Sequence, residues 1–255
     1  MYSATKTYWI GVHLDLCITL RCNSFCKNCI ILCNKKKITG LDYSDSDMTL
    51  NQIDNFIHQV KLLDKNTIGS VNVTGGEPLL HPDLEIIIDK LEELVKLNYI
   101  NTLQINSNKI LTPPKNLEKY IVNYSLPENN YKIHQTVLLH PIEFSKYPNQ
   151  TFQGCNHYRR DTIVLTYMGY SRCCAATGYI RLFCLEELII DYLPESLAKF
   201  PIDQMDKVCI HCPFGHDTLP LEKDAGFPVS LIYLSEGIKN RSGRQITKRF
   251  PGLNR

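Results

Sequence analysis

Polar and apolar positions alternate with two different periods along the first 140 residues. Tyr8–Ile18 (YWIGVHLDLCI) combines β-branched and aromatic residues with partial period-two alternation, which predicts a strand. Thr49 with Gln52 three positions on forms a capping box. Ile53, Phe56, Ile57, Val60 and Leu63 then recur at helical spacing, predicting a helix over about Thr49–Leu63. Ser70–Thr74 (SVNVT) predicts a short strand running into Gly75-Gly76. Pro82-Asp83 opens a second amphipathic helix to about Leu97, Leu103–Ile105 reads as a third strand, Pro114–Tyr120 as another helix, and Ile121–Leu126 and Lys132–Leu139 as two more strands. Strand and helix in alternation predict βαβ units, a parallel sheet and an α/β fold. In such sheets the chemistry sits on loops at the carboxyl ends of strands.

After Pro148 the pattern changes. Thr162–Thr166 and Tyr170–Arg172 flank Met168-Gly169 as a β-hairpin, and short helical pieces at Leu185–Ile190 and Glu195–Phe200 lead to Cys209-Ile-His-Cys212. A domain boundary is expected near residue 148, giving an N-terminal unit over 1–148, a small unit over 149–218 and an extension over 219–255.

Composition fits a globular protein with a sizeable core: 255 residues, 44% apolar, 21% charged, 13 Gly and 13 Pro. Lys+Arg 28 against Asp+Glu 26 leaves a net charge of +2, which argues against nucleic acid or an anionic membrane as a partner of the whole chain. No apolar run approaches the ~18 residues of a membrane span, and the N-terminus lacks a signal-peptide pattern, so a cytoplasmic protein is expected. Lys239, Arg241, Arg244, Lys248, Arg249 and Arg255 make a basic tail, expected to be solvated.

The outlier is cysteine, 11 residues in two groups. In a reducing compartment they favour metal ligands or buried thiols over disulfides. Cys22-x3-Cys26-x2-Cys29 puts three thiolates on a loop after the first strand. Soft thiolates select zinc, Cu(I) or iron–sulfur clusters, and structural zinc normally takes four protein ligands. The trio is therefore compatible with a cluster keeping one open position or, with Cys33 as a fourth ligand, with a closed zinc knuckle. Cys17, within a strand, reads as a small buried hydrophobe.

This C-x3-C-x2-C loop resembles the signature of the radical S-adenosylmethionine (SAM) superfamily, and Thr74-Gly75-Gly76-Glu77-Pro78 resembles that family's glycine-rich SAM-binding turn after the second strand. The resemblance implies a partial (β/α) TIM-like barrel. It also implies a [4Fe–4S] cluster on Cys22, Cys26 and Cys29 that leaves one iron for SAM. Gly75 and Gly76 would admit the ligand, Glu77 would accept from the SAM ammonium, and Asn106 and Ser125 would sit at strand ends touching SAM. Asn28 stands where the family usually has an aromatic residue near the adenine. An electron donor such as a flavodoxin or ferredoxin is implied as a partner.

Cys155, Cys173, Cys209 and Cys212, with a hairpin between the first two, match zinc-ribbon spacing as well as a cluster site. Attached to a radical SAM core they resemble the Twitch form of the SPASM auxiliary domain, a small C-terminal β-hairpin/helix unit, which implies a second [4Fe–4S] cluster. Cys174 competes with Cys173 as a ligand or is a free thiol able to donate hydrogen. Cys184 and His211 read as structural. The resemblance implies hydrogen abstraction from a small polar biosynthetic substrate, followed by oxidation with the second cluster as electron acceptor. That chemistry needs a base. His134 and His140 share one strand face with Thr136 and Leu138, and Glu143, Tyr158, Arg159 and Arg160 enter the same region. The alternative is a radical SAM enzyme that epimerises or crosslinks a ribosomal peptide. Only seven residues precede the expected first strand, so an N-terminal leader-binding module is not expected, which lowers the peptide reading without excluding it.

Overall fold

The computed structural model describes residues 11–24, 29, 31–33, 46–123, 162–194, 208 and 250–252. Its centre is a six-stranded sheet in the order β4-β3-β2-β1-β5-β6. The strands are β1 (Val12–Thr19), β2 (Ile68–Gly75), β3 (Ile100–Ser107), β4 (Ile121–Asn123), β5 (Thr162–Thr166) and β6 (Gly169–Ser171). All neighbouring pairs are parallel except β5–β6, a hairpin closed by the Tyr167-Met168 turn. The hairpin does not stand apart from the preceding strands, because β5 pairs in parallel with β1, His13 opposite Thr162 and Asp15 opposite Val164.

Two helices connect the first three strands, as the alternation predicts. α1 (Leu50–Lys61) starts at the expected capping box. The Thr49 hydroxyl accepts the Gln52 N–H, and the Gln52 side chain accepts the Thr49 N–H. α2 (Leu84–Lys96) buries Leu84, Ile87, Ile88, Leu91 and Leu94 at helical spacing. These stripes join Leu14, Leu16, Ile18, Val71, Val73, Leu103, Ile105, Ile163 and Leu165 in one hydrophobic core. The residues between them on the strands, His13, Asp15, Ser70, Asn72, Thr102 and Gln104, share the opposite sheet face in register. One face of the sheet is therefore the core, and the other is polar.

Two expected helical segments narrow to single 3-10 turns, and one helix was not expected. Pro114–Tyr120 is not an α-helix. Only a 3-10 turn forms at Glu118–Tyr120, since Pro113-Pro114 withholds two N–H donors and the segment is too short to propagate. Leu185–Ile190 likewise contains only a 3-10 turn at Glu186–Leu188. Conversely, α3 (Cys174–Phe183) has no counterpart in the sequence reading. All its residues after Cys174 are buried, so it carries no amphipathic stripe, and Gly178 in its middle lowers its helix propensity.

In the one described stretch of the tail, residues 250–252, Pro251 and Gly252 are exposed, as a solvated tail predicts, but Phe250 is not. Phe250 is buried, packs edge-on against Tyr170 with ring centroids 5.3 Å apart, and donates its N–H to the Tyr167 carbonyl at 2.8 Å. Gln52 and Asn55 of α1 donate to the Phe250 and Pro251 carbonyls at 2.7 and 2.6 Å. The expected strand Lys132–Leu139, the residues of Ile121–Leu126 after Asn123, the helical piece Glu195–Phe200 and the six basic tail residues lie outside the described residues.

Candidate functional site

The carboxyl ends of β1 and β2 lie side by side, Thr19 opposite Gly75, so the first cysteine loop and the glycine turn begin at the same point of the sheet. Gly76 donates its N–H to the Thr19 carbonyl at 2.8 Å, and Glu77 to the Arg21 carbonyl at 2.7 Å. A Cβ on Gly75, whose φ is +149°, would lie 2.2 Å from the Thr19 carbonyl oxygen, and one on Gly76 would lie 2.0 Å from that of Arg21. Only glycine lets the two loops approach this closely. Beneath them the Thr19 hydroxyl donates to Asp47 at 2.6 Å and accepts the Arg21 N–H at 3.0 Å, and Asp47 pairs with the Arg21 guanidinium at 2.6 Å.

Glu77 is fully buried. One carboxylate oxygen accepts the Leu79 N–H at 3.1 Å and the other the Asn108 N–H at 2.8 Å. Asn108, just past β3, also donates through its side chain to Asn23 at 2.6 Å and Ser24 at 3.0 Å in the cysteine loop. Three loops at three strand ends are thus tied through Glu77 and Asn108. The brace by Asn108 was not legible as such in the sequence, because an Asn in Asn-Ser-Asn after a strand is equally a turn former. Asn106, next to the end of β3, has its side-chain carbonyl oxygen buried and without a partner among the described residues.

Cys22 and Cys29 each accept a backbone N–H at sulfur, from Ser24 and Cys33 respectively, both at 3.3 Å. Cys26 lies outside the described residues, and among the described residues no three His, Cys, Asp or Glu side chains converge as a metal site. The chemistry of the loop still fits an iron–sulfur group. N–H donors aimed at cysteine sulfur favour the thiolate, and the neighbouring glycine turn leaves a backbone surface with the Asn106 acceptor unclaimed. Cys17 is buried in β1 with its thiol donating to the Thr19 carbonyl, and burial pushes its pKa up to about 12, so it is a thiol. Cys33 is buried, with its pKa raised first by its hydrogen bond to Cys29 and then by burial.

The polar sheet face carries a connected network that the sequence reading passed over. The Asn72 amide nitrogen donates to Asp15 at 3.1 Å and lies 2.8 Å from His13 Nε2, and His13 Nδ1 meets the Ser70 hydroxyl. This pattern makes His13 the acceptor at Nε2 and the donor at Nδ1. The Cys174 thiol reaches the other Asp15 oxygen at 3.7 Å. Burial and the facing Asp15 carboxylate hold Cys174 well above the ordinary thiol range. The Asn72 side-chain carbonyl oxygen is buried and has no partner among the described residues. The signal was present in Val-His-Leu-Asp-Leu and Ser-Val-Asn-Val-Thr, whose strict alternation places every polar residue on one face. Cys173 points elsewhere. It caps α3, its sulfur accepting the Ala176 N–H at 3.5 Å.

Of the other expected site residues, Asn28, Ser125, His134, His140, Glu143, Arg159, Cys155, Cys209 and Cys212 lie outside the described residues.

Residues 16–123, which run from β1 through the cysteine loop and the glycine turn to β4, match the model of the radical SAM superfamily. The chain carries a radical SAM domain. Two curated relatives resemble it. The S-adenosylmethionine-dependent nucleotide dehydratase of Selenomonas ruminantium is 30% identical over 112 residues, 44% of this chain and 37% of that protein. Molybdenum cofactor biosynthesis protein 1 of Dictyostelium discoideum is 32% identical over 103 residues, 40% of this chain and 15% of that protein. The chain therefore spans well under half the length of either relative. Among solved structures, the crystal structure of BtrN in complex with AdoMet and 2-DOIA aligns over 96% of this chain and 99% of that one, at 11% identity and a TM-score of 0.42. Among the described residues no helix is long and apolar enough to cross a membrane.

Proposed function

We propose that the chain is a radical SAM oxidoreductase that takes a hydrogen atom from a small polar substrate lying on the polar face of its sheet. The observation that carries this reading is the junction of the cysteine loop with Gly75-Gly76-Glu77 at the ends of β1 and β2, inside the radical SAM domain. Cys22, Cys26 and Cys29 would hold the SAM cluster. When bound, that cluster supplies one electron to the SAM sulfonium and so the 5′-deoxyadenosyl radical that attacks an unactivated C–H bond. The backbone of Gly75 and Gly76 and the Asn106 carbonyl oxygen would bind SAM, Asn28 and Ser125 would complete that site, and the brace from Glu77 to Asn108 keeps the loops in place.

The substrate is expected to bring hydrogen-bond donors. The face it meets offers the Asp15 carboxylate and the unclaimed Asn72 carbonyl oxygen, two acceptors, and supports a ligand bearing hydroxyl or ammonium groups. Oxidation also releases a proton, and Asp15, flanked by Asn72 and Cys174, is the group on this face suited to accept it. Cys155, Cys173, Cys209 and Cys212 would hold the auxiliary cluster as an electron sink in a Twitch-like unit. The engagement of Cys174 with Asp15, while Cys173 caps α3, favours Cys173 as the ligand.

The test is anaerobic reconstitution with iron and sulfide followed by reduction with SAM present. A brown protein with about eight irons that releases 5′-deoxyadenosine supports two clusters, and a colourless zinc protein without labile sulfide overturns the reading. Deuterated hydroxylated and aminated candidates, with nucleotides included because one relative is named a nucleotide dehydratase, then separate the outcomes. Label in 5′-deoxyadenosine with a product two hydrogens lighter means oxidation. A product changed only by solvent hydrogen in place of deuterium at a stereocentre means that oxidation is wrong.

A further inference from the structure

Arg181, on α3, is fully buried, yet among the described residues its charge has no counter-ion. One terminal nitrogen donates to the Ile31 carbonyl, two residues past Cys29. Its Nε and its other terminal nitrogen are buried and have no partner among the described residues. A guanidinium does not deprotonate in proteins, and a buried charge without a partner carries a desolvation penalty of several kcal/mol. Among the described residues, the acidic groups around Cys17, on which Arg181 also acts, are otherwise committed. Asp15 is bonded to Asn72 and Cys174, and Cys17 is a buried thiol whose sulfur donates to the Thr19 carbonyl. Arg181 is close enough to both Cys17 and Cys33 to act on them electrostatically. The cation thus stands beside the cysteine loop with two donor nitrogens unspent among the described residues.

We infer that Arg181 is a positioning residue for the iron–sulfur group of the first cysteine loop, its unspent N–H groups donating to the anionic sulfur ligands gathered by Cys22, Cys26 and Cys29. The inference rests on the radical SAM reading of that loop. A cubane cluster with three thiolates is a net anion and gains a further negative charge on reduction. A buried cation beside it therefore favours the reduced form and raises the reduction potential, as hydrogen bonds to sulfur also do. It also makes α3, which starts at Cys173 and Cys174, the element that couples the hairpin region to the SAM cluster.

The test uses reconstituted full-length protein. The SAM-responsive EPR signal identifies the first cluster, and its midpoint potential is read by redox titration without SAM. Arg181→Gln should lower the reduced-to-oxidised ratio at fixed solution potential about tenfold, which is about 59 mV for one electron, and Arg181→Lys should recover part of the loss. Should the fully buried site reject both variants, wild-type protein labelled with guanidinium-15N arginine supplies a second reading. A 15N hyperfine coupling to the reduced SAM-responsive cluster is expected, and its absence overturns the inference. An unshifted potential with weakened SAM binding overturns it too, since the partner would then be the SAM carboxylate. Failure of the wild-type protein to assemble any SAM-responsive cluster would instead overturn the radical SAM reading itself.

Discussion

Replacing Glu77 with Gln separates a structural role of this carboxylate from a purely ligand-binding one. The substitution preserves shape but converts one of two acceptor oxygens into a donor. In the folded protein both oxygens accept backbone N–H groups, from Leu79 at 3.1 Å and Asn108 at 2.8 Å, and the side chain is fully buried, so the new amide must face one of those N–H groups with another. Losing a hydrogen bond to a charged acceptor and leaving its donor unpaired costs about 1.5–3 kcal/mol. With a urea m-value of about 2 kcal/mol/M, the unfolding midpoint of the metal-free protein should fall by about 1 M. The assay is urea unfolding followed by circular dichroism under reducing, metal-free conditions, where no ligand contributes. An unchanged midpoint combined with lost SAM binding after reconstitution would refute the brace and leave Glu77 as a ligand group alone.

Further outcomes are expected. Gly76→Ala places a methyl group 2.0 Å from the Arg21 carbonyl oxygen and 2.9 Å from the Cys22 Cβ, so the cysteine loop must move; a loss of about 1–3 kcal/mol and reduced iron incorporation are expected by unfolding and iron analysis. Phe250→Ala removes a buried ring from Tyr170 and should cost about 3–5 kcal/mol in thermal or urea unfolding, although it lies far along the sequence from the site. His81 is buried, pairs with the Met48 carbonyl and the Asp83 N–H, and has its pKa lowered mainly by burial. Its contribution to stability is complete above the unfolded value of 6.5 and is lost as pH falls below it toward the depressed folded value; His81→Gln should flatten the melting temperature between about pH 7 and pH 5. Asp15→Asn should leave the iron content unchanged and abolish substrate-dependent product, measured as 5′-deoxyadenosine formed without accompanying oxidation.

The alternating units were legible because each element carried its own period. Thr49 to Val60 announces a capped helix, and Val71 and Val73 between Ser70, Asn72 and Thr74 announce a strand. A helix buried on nearly every side, such as α3, has no stripe to read. The two cysteine–glycine motifs were legible for a related reason: their chemistry depends on residue type and close spacing. The network on the polar sheet face was written in the alternation of β1 and β2, but alternation says only that His13 and Asp15 share a face.

By itself, the sequence determined most of the strand–helix alternation through β3, and it placed the cysteine loop and Gly75-Gly76 after the first two strands. Tertiary structure alone decided what sits opposite what. Register set Asp15 beside Asn72, and α3 folded back to bring Cys174 onto Asp15 and Arg181 under Ile31. The two oxygens of Glu77 bind backbone N–H groups 2 and 31 positions on. Such pairings join positions up to 198 residues apart, as between Gln52 and Phe250, and no local period encodes them. They follow from burying each apolar face once and pairing most buried polar groups, conditions that only the assembled chain can satisfy.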